Sequence, residues 1–182
     1  MVSTAARTKQ ILIAGFGGQG ILFAGRFLAY EGMIEGKEVS WLPSYGPEMR
    51  GGTANCAIII SSGPIGSPIV TSPDILIAMN LPSLDKFERD VVPGGQIFVD
   101  SSLIDQKVKR DDTENFYIPA TQMASDEGLS GLANMIILGQ FVRHSNVIPY
   151  ENIPKAMEKI ISPTRKNMFD LNIKAIDLGY NY

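Results

Sequence analysis

The chain has 182 residues and a mass of 19.8 kDa, the length of one ordinary α/β domain and too short for two enzyme domains of typical size. Apolar residues make up 45% and charged residues 19%, with a mean hydropathy of +0.06; this excludes a disordered chain and predicts a single domain over residues 1–182. A net charge of -3 and a pI near 5.2 disfavour nucleic acid and anionic membranes as partners.

The N-terminal segment superficially resembles a signal peptide, because Arg7 and Lys9 precede an apolar stretch. Glycines, Gln19 and Arg26 interrupt that stretch. No window of the sequence supplies the about 20 mostly apolar residues that a membrane-spanning helix needs. We therefore expect a cytoplasmic protein.

Predicted strands and helices alternate along the chain. Near-continuous apolar runs flanked by turn residues predict strands covered on both faces, at residues 10–14, 38–42, 54–61, 74–79, 96–101 and 115–118. Helical patterns fall at residues 20–31, 82–90, 131–144, 150–159 and 164–178. The proline-rich segment 61–73 is expected to be a loop or a short hairpin. This alternation predicts a three-layer α/β/α, Rossmann-like domain with a mostly parallel sheet.

A glycine loop follows the first predicted strand and precedes the first predicted helix, so its G-x-G-x-x-G pattern stands in a strand–turn–helix context. Glycines allow a tight turn and close approach of the backbone, and the start of the helix presents free N–H groups and partial positive charge to an anion. The loop residues are candidates for binding a cofactor: Gly15, Gly17, Gly18, Gln19 and Gly20.

Two other interpretations of this loop stay open. A Rossmann oxidoreductase that binds NAD or FAD would need an acidic residue about 20 residues further on, for the ribose hydroxyls. Residues 41–45 contain no acid, and the next one is Glu48, which weakens that interpretation. In the other interpretation the glycines serve only the packing of helix against strand.

A second loop, residues 43–53, lies between two predicted strands, where parallel-sheet proteins place ligand-binding loops. Arg50 beside Gly51 and Gly52 is suited to present a guanidinium group and exposed backbone amides to an oxyanion. These three residues join the candidates for cofactor binding. The alternative is an ion pair of Arg50, with Glu48 or at an interface, beside glycines that only shape the turn.

The only cysteine, Cys56, and the only histidine, His144, are too few to hold an iron–sulfur cluster or a structural zinc ion. Cys56 lies in an apolar run and is predicted to be a small buried residue. We assign no catalytic residue and no metal ligand to this chain. Three aspartates at predicted strand or helix ends are expected to be caps: Asp74, Asp85 and Asp100.

The two loops together resemble the gamma subunit of the 2-oxoacid:ferredoxin (flavodoxin) oxidoreductases, a module found as an internal domain in single-chain pyruvate:ferredoxin oxidoreductases. The resemblance spans most of the chain and is carried by residues 15–20 with their GGQG core, 45–52, 54–56, 78–80 and 83–85. Residues 43–55 look most like the 2-oxoglutarate branch, with the ketoisovalerate and pyruvate branches behind it. Tyr45, an aromatic suited to stacking on a ligand, and Asn80 complete the cofactor-binding candidates.

The resemblance implies a heteromeric enzyme that oxidatively decarboxylates a 2-oxoacid to its acyl-CoA, using thiamine diphosphate with Mg, an iron–sulfur cluster and coenzyme A (CoA), and reducing ferredoxin. The sequence lacks a GDG motif for magnesium diphosphate and the cysteines of a ferredoxin-like cluster. These cofactors are therefore expected in alpha and beta subunits, with a ferredoxin-like delta subunit as a further candidate. This chain, inactive alone, is expected to face CoA or the active site, or else to be purely architectural.

Overall fold

The computed structural model describes residues 8–45 and 53–182. Three predicted site residues, Arg50, Gly51 and Gly52, lie outside the described residues. Tyr45 is the last residue of a strand whose backbone is described.

The described residues form one six-stranded sheet and six α-helices. The strands are β1 (Thr8–Phe16), β2 (Glu38–Tyr45), β3 (Thr53–Ser61), β4 (Ile75–Ala78), β5 (Gln96–Asp100) and β6 (Glu114–Ile118). The helices are α1 (Ile21–Ile34), α2 (Leu81–Phe87), α3 (Ala120–Asp126), α4 (Ala133–Ser145), α5 (Ile153–Ile160) and α6 (Lys166–Tyr180). Short 3-10 segments follow α2 and precede α5 and α6, at Glu88–Asp90, Tyr150–Asn152 and Pro163–Arg165.

The predicted elements are all present, with ends shifted by a few residues, and residues 62–74 hold neither helix nor strand, as expected. One helix, α3, was not predicted. It has only seven residues, of which Ala120 and Ala124 are buried, so the sequence shows less than two turns of helical periodicity there.

The strand order is β2-β3-β1-β4-β5-β6. β1, β4, β5 and β6 are parallel neighbours, whereas β3 runs antiparallel to both β1 and β2. The α/β class and the mostly parallel sheet are thus confirmed, with β3 as a reversed strand. The connection from Tyr45 to Thr53 joins the antiparallel neighbours β2 and β3. It is too short for a parallel crossover, which needs about a dozen residues or more. The second loop therefore connects two antiparallel strands.

Both faces of the sheet are covered. In β1, Ile11 and Ile13 point to the larger core beneath α1 and α3–α6, while Leu12 points to a smaller core with Leu84 of α2. Because successive strand residues alternate between the faces and both faces are buried, the strand sequence is continuously apolar. The helical layers are unequal, since α2 is the only described α-helix in the smaller core.

Two helices of the larger layer, α4 and α6, touch through their backbones. A Cβ atom added at Gly139 would collide with the carbonyl oxygen of Ile176, and one at Gly179 with that of Ile136. Glycine is required at both positions to make room for the neighbouring helix.

Candidate functional site

The candidate site lies where the carboxyl ends of the parallel strands meet, the edge at which open α/β sheets bind ligands. The Met79 N–H donates to the Ala14 carbonyl oxygen (2.9 Å), which joins the ends of β4 and β1. A cleft of about 410 Å³ opens there between the glycine loop, Met79 and residues of α3. Its far wall is the turn before α4, which contains Gly128 and Gly131.

Two of the loop glycines have left-handed backbone conformations, which side-chain-bearing L-residues rarely adopt: φ is +99° at Gly18 and +73° at Gly20. No atom lies within 4 Å of a Cβ built at Gly18, so this residue faces open space at the cleft wall. Gly20 is the N-cap of α1, and no side chain caps the helix there. Backbone N–H groups at the start of α1 therefore lack a side-chain acceptor, as an anion site requires.

The side chain of Gln19 fastens the loop to the sheet. Its Oε1 accepts from the Phe16 N–H (2.6 Å), and its Nε2 donates to the Met79 carbonyl oxygen (2.9 Å). Both polar ends of the amide thus bind within the protein, which gives Gln19 a positioning role at the cleft. Gly15 is buried beneath it, because a Cβ there would lie 2.6 Å from Gln19 Oε1. The packing interpretation of the glycines therefore applies to Gly15.

Asn80 follows β4 at the same edge and is buried. Its Oδ1 accepts from the Ser83 N–H (2.8 Å) and caps α2, whereas its Nδ2 has no hydrogen-bond partner among the described residues. Asn80 thus caps α2 through its Oδ1, and its cofactor-binding role stays a prediction. The ligand roles of Gly17 and Gly18 remain predictions.

The three aspartates divide into two groups. Asp100 accepts from the N–H groups of Ser102 and Thr121, at 3.1 and 3.3 Å, and Asp74 accepts from the Gln10 N–H at 2.8 Å, so both bind backbone donors as expected. Asp85 is not a cap, because it is exposed and pairs with Lys109 at 3.0 Å. The hydrogen bond from Gln106, and then the contact with Lys109, hold the pKa of its carboxyl below the usual value.

Sequence reasoning missed Asn134, the second residue of α4. Its Nδ2 donates to the Gly20 carbonyl oxygen (3.1 Å) and would lie 2.5 Å from a Cβ at Gly20. Gly20 therefore needs both its left-handed backbone and its missing side chain. The contact joins residues 114 positions apart, and no local pattern signals it.

Tyr45 and Thr53, which flank the undescribed residues of the second loop, reach the same edge. In the register of the sheet Tyr45 lies opposite Ala54, and Thr53 lies opposite Phe16, the last residue of β1. The Thr53 end of the second loop is therefore next to the glycine loop, whereas the Tyr45 end lies one strand further away at the same edge.

Comparison with known proteins decides the family. The family model described as pyruvate ferredoxin/flavodoxin oxidoreductase matches residues 10–182. This chain belongs to the pyruvate ferredoxin/flavodoxin oxidoreductase family. The resemblance drawn from the two loops is thereby confirmed.

Relatives within the family carry different names. The ketoisovalerate oxidoreductase subunit VorA of Methanothermobacter marburgensis is 37% identical over 177 residues, which cover 97% of this chain but 37% of that protein. The 2-oxoglutarate synthase subunit KorC of Methanocaldococcus jannaschii is also 37% identical, over 94% of this chain and 92% of that protein. The chain thus spans little more than a third of the first relative and nearly all of the second.

A solved structure agrees with this placement in the family. The gamma subunit of a keto/oxoacid ferredoxin oxidoreductase from Geobacter sulfurreducens PCA superposes with a TM-score of 0.79 at 30% identity, over 95% of this chain and 96% of that one. Among the described residues of this family member, no helix is long and apolar enough to cross a bilayer.

Reactive groups are scarce in this member of the family. Cys56 is buried, as predicted. Its thiol donates to the Ile21 carbonyl oxygen (3.4 Å), and burial raises its pKa to about 12, which favours the protonated thiol over the thiolate that acts as a nucleophile. His144 stacks on Phe116 with ring centroids 4.5 Å apart, and burial lowers its pKa. Within residues 8–45 and 53–182, no three His, Cys, Asp or Glu side chains are grouped as metal ligands.

The chemistry of the cleft follows from its lining. Thr121, Ser125 and Ser130 contribute hydroxyl groups, the two glycine turns contribute backbone, and no described lining residue is acidic, basic or a thiol. Such a lining can hold and orient a ligand, and its described residues include no carboxylate, imidazole or amine that would activate one of these hydroxyls as a nucleophile.

Proposed function

We propose that this chain is the gamma subunit of a heteromeric 2-oxoacid:ferredoxin oxidoreductase and is inactive by itself. The enzyme would oxidatively decarboxylate 2-oxoglutarate to its acyl-CoA and reduce ferredoxin. Membership of the family supports the reaction class. The correspondence with KorC along nearly its whole length supports 2-oxoglutarate, whereas VorA is matched only in part.

The role proposed for this chain is to receive a phosphate of CoA at the glycine-loop cleft. The observation that carries it is the uncapped start of α1 beside Gly18 and the cleft of about 410 Å³. Backbone N–H groups and the helix dipole favour a phosphate there, and no described acidic residue in the lining opposes it. Arg50, in a loop whose ends reach this edge, would add a charge-assisted contact.

The remaining cofactors are assigned to alpha and beta subunits, with a ferredoxin-like delta subunit as a further candidate partner. The described residues do not fit an iron–sulfur cluster, because Cys56 is buried with its thiol bonded to a backbone carbonyl. They also bring together no cluster of side chains for a magnesium diphosphate. When bound, CoA would supply the thiol that accepts the acyl group, while this chain binds and orients it.

The alternative of a dinucleotide-binding oxidoreductase is disfavoured by the topology. In a Rossmann fold the acidic residue for the ribose ends a parallel strand adjacent to β1. Here the reversed strand β3 separates β1 from β2. On its other side, the parallel neighbour β4 ends at Ala78 and is followed by Met79 and Asn80, so no described acidic residue ends a strand at the required position.

The experiment is co-expression with the neighbouring coding regions, followed by purification of the complex and assay of CoA-dependent ferredoxin reduction with a panel of 2-oxoacids. We expect the highest kcat/KM with 2-oxoglutarate and no turnover by the isolated chain. Turnover or stoichiometric iron in the isolated chain would contradict the assignment of cofactors to partners. A preference for branched 2-oxoacids would contradict the choice of substrate.

Arg50→Ala in the assembled complex separates the CoA-facing role from an architectural one. Loss of a desolvated charge-assisted contact predicts a rise of about tenfold or more in the KM for CoA, or a similar fall in kcat, with assembly intact. Arg50→Lys should recover only part of this, because a point charge does not reproduce the guanidinium fork. Unchanged kinetics would make Arg50 structural, and failed assembly would make it an interface residue.

A further inference from the structure

A second hollow, of about 450 Å³, lies along α1 and shares no lining residue with the glycine-loop cleft. Its walls come from α1, from the connection between α5 and α6, and from α6 itself. We name it the arginine hollow after Arg26 and Arg165, which line it from α1 and from the connection.

Both arginines are exposed, and neither guanidinium forms an ion pair or hydrogen bond with any described residue. No Asp or Glu is among the described residues that line the hollow. Surface arginines commonly find a carboxylate, as Arg110 does with Asp112 at 2.6 Å. Two unpaired guanidinium groups at one concave site therefore favour an anion from outside this chain.

Further donors surround the two arginines. The hydroxyls of Ser162 and Thr164 line the hollow and share a hydrogen bond of 2.9 Å, so one O–H donates within the pair and the other is left for a ligand. Arg165 is also the N-cap of α6, a helix of 15 residues that begins without a side-chain cap. A phosphate has more acceptor oxygens than a carboxylate. It therefore matches two guanidinium forks, one hydroxyl donor and a helix start better than a carboxylate does.

The floor of the hollow holds a buried acceptor without a partner. Asn172 is 1% exposed, and its Nδ2 donates to the Met168 carbonyl oxygen (2.7 Å), which fixes the orientation of the amide. Its Oδ1 is buried and has no hydrogen-bond partner among the described residues. A buried polar atom is normally satisfied. The ligand should therefore carry an N–H or O–H donor as well as the phosphate.

We propose that the arginine hollow binds a phosphate-bearing metabolite of nucleotide size, with Arg26 and Arg165 on the phosphate and Asn172 Oδ1 accepting from an amino or hydroxyl group. Phe23, Ile160 and Met168 give it an apolar wall for a base or a comparable group, and its volume is within the usual range of small-molecule sites. This inference does not rest on the proposed function. The phosphate could belong to a free nucleotide or to CoA, which also carries a nucleotide.

The test is calorimetric titration of the purified chain with inorganic pyrophosphate, ADP and CoA. We expect ADP to bind, and to bind more tightly than pyrophosphate because it also reaches Asn172 and the apolar wall. The double variant Arg26→Ala/Arg165→Ala should weaken ADP binding by about tenfold or more. Both residues are exposed, so circular dichroism and the Tm should be unchanged.

The matched control is Lys155→Ala/Lys166→Ala, which removes the same charge from neighbouring exposed positions that do not line the hollow. It should change ADP affinity by no more than about twofold, since it alters only the long-range field. If CoA binds more tightly than ADP and loses its affinity in the arginine variant, CoA is the source of the phosphate; equal or weaker binding of CoA identifies a free nucleotide.

Two outcomes would overturn the proposal. One is the absence of binding by the wild-type chain to all three probes at millimolar concentrations. The other is equal affinity of the wild type and the arginine variant for ADP. If no probe binds, yet the arginine variant fails to retain partner subunits in the co-expressed complex, the hollow is a protein interface. The 2-oxoacid assay tests the proposed function independently, because it does not depend on ADP binding.

Discussion

Glycines and polar side chains play different parts at the glycine-loop edge and in the interior of the helical layer. At the edge, Gly18 supplies a left-handed backbone next to open space, whereas Gly179 in α6 makes room for the backbone of α4. The polar side chain of Gln19 is bonded at both ends, whereas the buried carboxylate of Glu31 in α1 has no hydrogen-bond partner among the described residues. The packing and solvent exposure of each position, more than its residue type, thus decide its structural role.

The largest effect is expected at the glycines of the helical layer. Gly179→Val should lower the free energy of unfolding by about 4 kcal/mol or more, or prevent folding, because its side chain would enter the backbone of α4. Urea unfolding measures this. The matched control is Gly66→Ala, where a Cβ meets no atom within 4 Å, and it should change stability by less than about 0.5 kcal/mol. Similar effects of the two variants would mean that α4 and α6 can separate freely.

Glu31 should make stability fall as the pH rises. Burial, and then the nearby charge of Glu35, raise its pKa from 4.5 to about 8. The folded state therefore holds a proton that the unfolded state has lost, so stability decreases from about pH 4.5 up to about pH 8. Glu31→Gln removes this loss, and we expect it to stabilise the protein by roughly 2–4 kcal/mol at pH 8.5 and little at pH 5.

The control for Glu31 is Glu158→Gln, which changes an exposed carboxylate. Its stability should follow the wild-type pH profile. Chemical denaturation at several pH values distinguishes the variants, and a Glu31→Gln profile parallel to that of the wild type would show that Glu31 ionises normally.

Gln19→Ala should cost about 1–2 kcal/mol of stability, because the Met79 carbonyl oxygen and the Phe16 N–H both lose their partner. The exposed setting of the Phe16 bond keeps the cost low, since water can replace the amide there. In the assembled complex the variant should remain folded and yet lose CoA-dependent turnover, because the loop is no longer fixed. Thermal unfolding and CoA-dependent turnover, measured on the same preparation, check both parts.

The smallest effect on stability is expected for Gly18→Ala, at about 1 kcal/mol, from its left-handed backbone alone. Gly18→Val adds bulk at the cleft wall. If the edge holds a ligand, the valine variant should assemble and yet lose turnover, while the alanine variant keeps more of it. Equal loss of Tm and activity in both would support the packing interpretation instead.

The sequence predicted the strands well because burial on both faces leaves an almost unbroken apolar run, as in Ile11–Ile13 of β1. An apolar run does not show in which direction a strand runs, so the sequence pattern did not predict that β3 is antiparallel to β1. The short connection between β2 and β3 is the sequence feature that indicates this reversal. The glycine loop was recognisable from its local context. Gln19 also bonds to Met79, 60 residues away, and Gly20 to Asn134, 114 residues away, and only the fold brings these pairs together.

The arginine hollow shows the same limit. Arg26 and Arg165 are far apart in the sequence, and each resembles an ordinary surface cation. They line one hollow only because α6 returns to α1 by way of α5. Its discriminating feature, the unpaired Oδ1 of Asn172, depends on a side-chain orientation fixed by α6, which no pattern of residue types reports.

The central position of β1 has a consequence for the order of events during synthesis. β1 leaves the ribosome before both of its neighbours: Ile11 pairs with Ile58 of β3 on one side and with Ile75 of β4 on the other. The hairpin of β2 and β3 can form from nearby residues, whereas β1 keeps two open edges until residues 53–78 have emerged. Closure of the sheet around the first strand is therefore a late, non-local step, and the interval before it is when the nascent chain is most exposed to aggregation.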